Sequence, residues 1–508
     1  NFLVVSYAAL RELELDILKR LGELGDKAVQ SSLFFDRDQY SVALSQIHGI
    51  ELEEWPARIA EIALFLTEHQ ANRKAEQLLG QAPHLLPLTK LEGLKIGNAL
   101  TMDWSEVVNP QSKLVIVGNP PFVGHQTKTP SQVEDLKRVW GDDYNGYLDY
   151  VTGWLKKAGD FLANNPDGKF SFVATNSISQ GQPVGALFRP LMKQGWRIRF
   201  AHQSFPWSSE APGTAAVHCV IVGMDKDLGG PRTIYKYAGK NAAAVEAVVP
   251  RINAFLMQGE DIFVEKRSSP FSKDLPPVSF GTMPIDGGNL IIEKQDYATF
   301  SADSVASRYL RRLVGSAELV RGEDRWCLWL EDASPADIRS NPLISDRVAK
   351  CKQWRLEQKE SGDAYKNHET PHLFRPNSKR PKKSYLCMPR VVSERRRFFT
   401  VDHLDPEVIS TDAVFTCEDP DGVAFAIASS SMFMEWQKLV GGRLKGDIRF
   451  SSTVVWNNFP LPSLVRSDRD RLKKLGQGVL DARKKSQRAS LADLYDPLSM
   501  PADLLRAH

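Results

Sequence analysis

The sequence contains no apolar run of about 18 residues, which is the length that a helix needs to cross a bilayer. Its first residues, Asn1-Phe2-Leu3-Val4-Val5, are apolar, but they lack the basic flank and the small-residue cleavage site of a signal peptide. We therefore expect neither a spanning helix nor a secretory leader, and no membrane partner. The sequence also begins without methionine, so we expect a fragment or a processed chain.

Cysteine is scarce, and no two cysteines form a Cys-x-x-Cys pair. Their wide spacing and odd number disfavour a zinc site and a disulfide framework. We therefore expect no bound metal and a reducing, cytoplasmic environment. The five residues are Cys219, Cys327, Cys351, Cys387 and Cys417.

A strong excess of one charge sign is also missing, because the formal net charge is only +3. The chain as a whole is thus not a basic nucleic-acid binder, but residues 375–397 are locally basic and contain a single acid, Glu394. Such an excess favours phosphate binding, and a solvated, flexible loop is the alternative that composition leaves open. The basic residues are Arg375, Lys379, Arg380, Lys382, Lys383, Arg390, Arg395, Arg396 and Arg397.

Helices and strands alternate through residues 1–225, and this order predicts an α/β fold with a doubly wound parallel sheet. Its last two strands, residues 197–202 and 215–223, indicate an antiparallel edge hairpin. Residues 226–270 form a connector with a predicted helix near residues 242–258. Frequent Pro and Gly, short strands and separate helical segments then predict an α+β domain over residues 271–462. Residues 463–508 are charged and predict C-terminal helices.

The most informative segment is Asn119-Pro120-Pro121-Phe122, which directly follows an apolar strand and Gly118. Methyl transfer to a ring amino group requires a base that has left the duplex stack, and acceptors that draw the lone pair out of the ring plane. The Asn119 side chain and the Pro120 carbonyl provide two acceptors, whose positions the prolines hold by fixing φ. Phe122 provides a ring for stacking. Ligands of open α/β sheets bind beyond the carboxyl ends of strands, although Asn-Pro-Pro alone also fits an ordinary turn.

Together with other segments, this motif resembles the class I, S-adenosylmethionine-dependent amino-methyltransferases, and more narrowly the MmeI-like Type IIL restriction–modification proteins. The resemblance covers nearly the whole chain. It implies a Rossmann-like methyltransferase domain over residues 1–225 and a target-recognition domain over residues 271–462, in a bacterial cytoplasm. The segments that carry it are residues 116–124, Phe172-Val173-Ala174-Thr175-Asn176-Ser177-Ile178, Phe200-Ala201-His202, Trp207-Ser208-Ser209-Glu210-Ala211, Arg325-Trp326-Cys327-Leu328-Trp329-Leu330 and Asn457-Asn458-Phe459-Pro460.

The resemblance implies S-adenosylmethionine as the cofactor and assigns residues to its site. Glu51, at the end of a short strand, would accept from the ribose hydroxyls, as acids at strand ends do in dinucleotide folds. The donor's adenine would lie against Asn98, Ala99 and Leu100, where Asn98 replaces an Asp that is often found there. Trp207 would help Phe122 to line the pocket of the flipped base. A solvated acid, a plain turn and edge packing are the respective alternatives.

Some parts of the family pattern are not in the sequence. The glycine-rich donor loop, whose backbone amides cradle the donor at a helix N-terminus, would directly precede Asn1 and Phe2, which we place at the cofactor site. The N-terminal helical segment and the nuclease domain of full-length relatives are also absent, so the resemblance implies a chain truncated at both ends. We therefore expect this chain alone to bind the donor weakly and to methylate little.

Double-stranded DNA is the partner that a target-recognition domain implies. Arginine most often reads guanine in the major groove, whereas contacts to phosphates only position the protein. The sequence does not show which basic residues contact bases and which contact phosphates. A surface salt bridge is the alternative for any single arginine. The candidate DNA-binding residues are Lys379, Arg380, Lys382, Lys383, Arg390, Arg395, Arg397, Arg443, Lys445 and Arg449.

These observations favour a site-specific DNA methyltransferase that modifies the exocyclic amino group of adenine within a restriction–modification system. The same motif also serves methyl transfer to RNA or to a glutamine side chain, but the large second domain favours DNA. A catalytically impaired fragment that only binds DNA is the third hypothesis, which the missing donor loop favours and the intact motif disfavours.

Overall fold

The computed structural model describes residues 1–24, 40–79, 91–207, 217–237, 239, 242–375, 380–444, 446–486 and 489–508. The chain divides into two compact units. The first comprises Asn1–Ser179 with Pro183–Phe263, and the second comprises Gln180–Gln182 with Val264–His508.

The first unit alternates helices with strands, as the sequence predicts for an α/β fold. In chain order, its elements are α1 (Phe2–Glu23), β1 (Gly49–Glu51), α2 (Glu54–Leu79), β2 (Leu94–Ile96), β3 (Val115–Gly118), α3 (Pro130–Trp140), α4 (Thr152–Phe161), β4 (Lys169–Thr175), α5 (Gln182–Lys193), β5 (Arg197–Trp207), β6 (Val217–Asp225), β7 (Arg232–Tyr237) and β8 (Ala244–Val249).

Six of these strands form one sheet in the order β3-β4-β6-β5-β7-β8, and β1 and β2 form a separate parallel pair. β3 is parallel to β4 and β5 is parallel to β7, whereas the other neighbours are antiparallel. The sheet is therefore mixed, because short connections such as the one between β7 and β8 allow only antiparallel pairing. The predicted hairpin is present as β5 and β6, but β7 extends the sheet beyond it. Strands β3, β4 and β5 point the same way, so their carboxyl ends share one edge.

The predicted helix near residues 242–258 is wrong, because residues 244–249 form β8. This strand pairs with the whole of β7, from Arg232 opposite Val249 to Tyr237 opposite Ala244. Three valines fall within its six residues, and β-branched side chains favour strands over helices. Cross-strand pairing therefore outweighed the helical spacing of the alanines.

Strand β4 has one buried face. This face carries Phe170, Phe172 and Ala174, each at most 2% exposed. The ring of Phe170 lies edge-on to Trp196, with 4.7 Å between centroids. Burial of several aromatic side chains on one face contributes on the order of 2 kcal/mol each, so this layer fixes the sheet from which the site loops emerge.

The described residues of the second unit form three small sheets and several helices, which agrees with the predicted α+β class. In chain order, the elements are β9 (Ser279–Phe280), β10 (Ile291–Ile292), α6 (Tyr297–Ala302), α7 (Ala306–Tyr309), β11 (Leu310–Val314), α8 (Ser316–Arg321), β12 (Trp326–Leu328), α9 (Pro335–Ser340), α10 (Pro342–Leu356), α11 (Asp363–Lys366), β13 (Tyr385–Pro389), β14 (Val391–Val392), β15 (Asp402–Leu404), β16 (Ile409–Ser410), β17 (Val414–Glu418), α12 (Val423–Ala428), α13 (Ser431–Val440), β18 (Gly442–Leu444), β19 (Asp447–Arg449), α14 (Arg466–Lys484), α15 (Leu491–Leu494) and α16 (Ala502–Ala507). The sheets have the strand orders β10-β12-β11-β16, β15-β13-β17-β9 and β14-β19-β18.

A buried arginine on α10 anchors the loops of the second unit. Arg355 has 0% exposure, and each of its five N–H groups donates to a different main-chain carbonyl. The acceptors belong to Pro284, Ile285, Asn367, Thr370 and Leu373, at 2.6 to 3.4 Å. Burial lowers the pKa of Arg355, and the carbonyl dipoles replace the water that a guanidinium would otherwise need.

All five cysteines are buried and free. Among the described residues, no group of three or more His, Cys, Asp or Glu side chains is placed to hold a metal ion. No helix in the described part of the chain is long and apolar enough to cross a membrane.

Candidate active site

The motif Asn119-Pro120-Pro121-Phe122, called here the NPPF motif, leaves the sheet at the end of β3. The start of the motif is fixed because the preceding residue, Gly118, pairs with Phe172 of β4. Gly118 also lies close to the Phe172 ring, since a Cβ added to Gly118 would be 3.4 Å from it. The Asn119 side chain is exposed, Pro120 is buried and Phe122 is half-buried. An accessible amide thus stands beside a proline that the protein interior holds in place.

The exit of the motif is held by the segment that leads into α4. The N–H of Val123 donates to Asp149 Oδ1 at 3.1 Å, and the carbonyl of Val123 accepts from the N–H of Tyr150 at 3.1 Å. Helix α3 then begins with a capping box between Thr129 and Gln132. Both ends of the motif are therefore tied to rigid elements.

Asp149 is 5% exposed and bonds to groups on three segments. Besides Val123, it accepts from the N–H of Val151 at 3.3 Å and from Thr175 Oγ1, at the end of β4, at 3.0 Å. Burial raises the pKa of Asp149, while these hydrogen bonds and the charge of Lys128 act in the opposite direction. Sequence reasoning missed Asp149, because two of its partners, Val123 and Thr175, lie 26 residues away on either side.

The predicted cofactor residues are brought together in part. Glu51 pairs with Ile96 across β1 and β2, and the N–H of Gly97 donates to the Glu51 carbonyl at 2.8 Å. Glu51 therefore lies beside the loop that contains Asn98. Its carboxylate is exposed and accepts only from the N–H of Leu52, at 2.9 Å, within the described chain.

Residues 98–100 form a loop that is fixed by internal hydrogen bonds. Asn98 accepts from the N–H of Leu100 at 2.9 Å and donates through Nδ2 to Asp135 Oδ2 at 3.0 Å. The carbonyls of Ala99 and Leu100 accept from Trp104 Nε1 and Lys157 Nζ, both at 2.8 Å. Leu100 is buried at 2% exposure. The Asn98 amide thus orients Asp135, an acid that the sequence reasoning missed.

Asn1 and Phe2 stand at the start of α1, and both are exposed. The next residue, Leu3, packs closely against Gly49 of β1. A Cβ added to Gly49 would lie only 2.8 Å from Leu3 Cδ1. The beginning of α1 therefore packs against β1, the strand that ends in Glu51.

Trp207 ends β5 at the same edge of the sheet as the motif, and its side chain is 40% exposed. The ring of Phe205 lies 6.2 Å from Trp207 and 5.0 Å from Tyr237, centroid to centroid. His202 stacks on Tyr235 at 4.3 Å, and its Nδ1 lies 2.7 Å from the Tyr237 hydroxyl. Phe122 and Trp207, which the sequence assigns to one pocket, make no ring–ring contact among the described residues.

The polar turn after β4 joins this edge as well. Asn176 Nδ2 donates to Ser204 Oγ of β5 at 3.2 Å, and Thr175 Oγ1 lies 2.6 Å from Ser177 Oγ. Polar side chains of the turn after β4 and of the last part of β5 therefore meet at the carboxyl edge, where open α/β sheets bind their ligands and where the motif leaves β3. A polar run directly after an apolar strand is the sequence signal that marks Asn176.

Family models match almost the whole chain. They describe the DNA-methyltransferase domain of MmeI over residues 1–236, its target recognition domain over residues 258–463 and its C-terminal domain over residues 465–508. A solved structure of the Type IIL restriction–modification enzyme MmeI in complex with DNA is 35% identical, with a TM-score of 0.84, and the match covers 100% of this chain and 67% of that one. The chain belongs to the MmeI family.

DNA methyltransferase A of Bacillus subtilis (strain 168) is a further relative of this MmeI-family chain. It is 34% identical over 515 residues, which cover 100% of this chain and 56% of that protein. The chain therefore spans little more than half the length of this curated relative. The resemblance inferred from the sequence is confirmed.

The predicted DNA-binding residues of this MmeI-family chain form two groups in the second unit. The first group precedes β13: Lys382 and Lys383 are exposed, whereas Arg380 donates to the Pro406 carbonyl at 2.7 Å and lies over the Trp329 ring. Lys379 and Lys445 lie outside the described residues.

The second group surrounds the three-stranded sheet β14-β19-β18. Arg449 pairs with Val391 of β14, and the carbonyl of Arg390 accepts from the N–H of Phe450 at 2.9 Å, so Arg390 and Arg449 are neighbours. Arg395 and Arg397 are exposed in the turn that follows β14. Within the described chain, these four arginines form no ion pair, so none of the described carboxylates neutralises their charges.

Arg443 belongs to the same sheet but has a different environment. It is half-buried, and its guanidinium donates to the carbonyls of Gly446 at 3.4 Å and Lys438 at 3.5 Å. Burial lowers its pKa, while Glu394 and Asp447 act in the opposite direction. Its donors are thus directed to main-chain carbonyls of its own hairpin and of helix α13.

Proposed function

We propose that this chain carries the methyl-transfer and target-recognition parts of an S-adenosylmethionine-dependent DNA adenine methyltransferase of a restriction–modification system. The observation that carries this proposal is the NPPF motif, which is held at both ends beside the carboxyl edge of the sheet. The similarity to an MmeI structure with DNA and to a bacterial DNA methyltransferase supports it.

Residues of the motif would act on the acceptor base. The exposed Asn119 amide and the carbonyl of Pro120 accept from the exocyclic amino group, which draws its lone pair out of the ring plane. Phe122 stacks on the flipped base, and Trp207 belongs to the wall of the same pocket. Pro120 and Pro121 keep the two acceptors in place, because proline fixes φ. Positioning of this kind is a major source of catalysis in bimolecular transfer.

The residues at the donor side fit an adenosine group. Glu51 has an exposed carboxylate that can accept from two ribose hydroxyls, and Asp135 accepts through Oδ2 while the structure records no donor to Oδ1. Asn98, Ala99 and Leu100 shape the adenine site, and Asn1 and Phe2 lie near β1. The donor would supply an electrophilic methyl group, and the chain would hold it beside Asn119.

The second unit would read DNA. Arg390, Arg395, Arg397 and Arg449 lie on one small sheet and its turn and form no ion pair among the described residues, which suits contact with phosphates or guanines. We assign residues 1–225 to the methyltransferase domain, 226–270 to a connector, 271–462 to target recognition and 463–508 to a C-terminal helical segment. We place the protein in the bacterial cytoplasm.

Transfer of tritiated methyl groups from S-adenosylmethionine to duplex DNA tests the proposal. We expect slow incorporation by the unaltered chain, none by Asn119→Ala and unchanged incorporation by Asn109→Ala. Asn109 is a matched control, because it is an exposed loop asparagine whose side chain, among the described residues, accepts only from the Gln111 N–H, at 2.9 Å. Nucleoside analysis of the product should yield N6-methyladenine.

DNA binding without any incorporation would contradict the enzymatic proposal and favour a recognition module. Incorporation into RNA or a glutamine peptide instead of DNA would overturn the DNA assignment.

A further inference from the structure

The Asp149 carboxylate joins three segments that the chain brings from distant positions. Its Oδ1 accepts from the N–H groups of Val123 and Val151, and its Oδ2 accepts from the hydroxyl of Thr175. Val123 immediately follows the NPPF motif, Val151 leads into α4 and Thr175 ends β4. The side chain is thus bonded to the exit of the motif and to the adjacent strand end.

This arrangement determines where the motif can lie. Pairing of β3 with β4 fixes Gly118, and the hydrogen bonds of Val123 to Asp149 and Tyr150 fix the other end. Four residues, two of them prolines, span these fixed points. Because φ of the prolines is set, the orientation of Asn119 and Pro120 depends on the two anchors.

We propose that Asp149 is a positioning residue for methyl transfer, which sets the orientation of the Asn119 and Pro120 carbonyls by holding Val123 against the end of β4. This inference rests on the proposed function. Asp149 does not touch either substrate in this role, and acts through the main chain of the motif. Asn176, next to Thr175, extends the same connection to Ser204 of β5.

A second buried clamp in the same unit provides a matched control. Asn165 is 2% exposed and donates through Nδ2 to the carbonyls of Pro110 at 2.6 Å and Ser112 at 2.8 Å. It therefore holds the loop before β3 in the way that Asp149 holds the loop after it. Loss of either clamp weakens the fold, but only Asp149 contacts the motif's exit.

The test compares Asp149→Ala, Asp149→Asn, Thr175→Val and Asn165→Ala in steady-state methyl transfer to DNA that the unaltered chain methylates. We expect Asp149→Ala to lower kcat by about a hundredfold, the loss that a small misplacement of reacting groups causes, with KM for DNA unchanged. Asp149→Asn should recover most of kcat, because the amide oxygen still accepts from Val123 and Val151 and the NH2 group can donate to Thr175. Thr175→Val should give an intermediate kcat, and Asn165→Ala should leave kcat unchanged.

Two outcomes for the Asp149 variants overturn the inference. One is a kcat for Asp149→Ala that equals that of Asn165→Ala at equal folded fraction, and the other is a failure of Asp149→Asn to recover activity while it remains folded. If Asp149→Ala does not fold, Asp149→Asn and Thr175→Val still decide, because a kcat for Thr175→Val equal to that of the unaltered chain contradicts the role. Failure of the proposed function would be visible separately, as absence of transfer by the unaltered chain.

Discussion

Asp135 Oδ2 accepts two hydrogen bonds, one from Asn98 Nδ2 at 3.0 Å and one from the Tyr150 hydroxyl at 2.7 Å. Burial and the neighbouring Asp135 raise the pKa of Tyr150, so its hydroxyl remains a donor at neutral pH. The N–H of Tyr150 in turn holds Val123 at the exit of the NPPF motif. One carboxylate on α3 therefore connects the predicted donor loop with the predicted acceptor loop.

Replacement of Asp135 by alanine should weaken binding of S-adenosylmethionine by about tenfold, which corresponds to roughly 1.4 kcal/mol of binding free energy. Asn98 loses its partner and the donor loop loses its fixed orientation. The dissociation constant from isothermal titration measures this effect. Glu134→Ala is the control, because Glu134 lies on the same helix and, in the described part of the chain, pairs only with exposed Lys137. Equal affinities of the two variants would contradict the role of Asp135.

Alanine at Arg395 or Arg397 should reduce the salt dependence of DNA binding. Each phosphate contact contributes about 0.9 to the slope of log K against log salt concentration, so each variant should lower the slope by about that amount. Filter binding or fluorescence anisotropy across a salt series gives the slope. Arg321→Ala serves as the comparison, since Arg321 is exposed but lies beside Glu323. Unchanged slopes in both variants would remove these arginines from the interface.

Replacement of Arg355 by lysine should lower the free energy of unfolding by about 2–4 kcal/mol. Lysine has three donors for the five carbonyls that the guanidinium satisfies, and a buried carbonyl without a donor costs about 1–3 kcal/mol. Urea unfolding measures the loss. Lys352→Ala, an exposed residue of the same helix, should leave stability nearly unchanged. Similar stabilities of the two variants would show that the carbonyls find other donors.

Stability should also depend on the ionisation of His202. Burial lowers the pKa of His202 below its ordinary value of 6.5, so the folded state favours the neutral ring. The contribution of neutral His202 to the free energy of unfolding is fully present above about pH 6.5. It is lost as the pH falls from there through the lower pKa that His202 has in the folded state. Urea unfolding of the unaltered chain and of His202→Gln across this range measures it. The difference in unfolding free energy between them should change as the pH falls, and parallel curves would refute the prediction.

The location of the NPPF motif was predictable from the sequence, because an apolar run followed by Gly118 identifies a strand end without knowledge of the fold. The roles of Asp149 and Asp135 were not, because each depends on contacts between residues far apart in sequence. Asp149 accepts from Val123 and from Thr175, and no local spacing signals such a carboxylate.

Local pattern did not indicate two features of the structure. The sequence predicts a helix near residues 242–258, whereas pairing with β7 produces a strand there. Basic character alone does not distinguish Arg443 from the exposed arginines, although its guanidinium donates to the carbonyls of Gly446 and Lys438. In both cases the deciding interaction comes from a neighbouring segment, which periodicity and composition do not include.

The five bonds of Arg355 have a consequence for how the second unit can change over evolutionary time. Every acceptor is a main-chain carbonyl, and all amino acids carry that group. Substitutions at Asn367, Thr370 or Leu373 therefore do not remove the carbonyls to which Arg355 donates. The hydrogen bonds of Arg355 do not depend on the side chains of the loops that they hold. Those loops can therefore diversify in sequence while the domain keeps its shape.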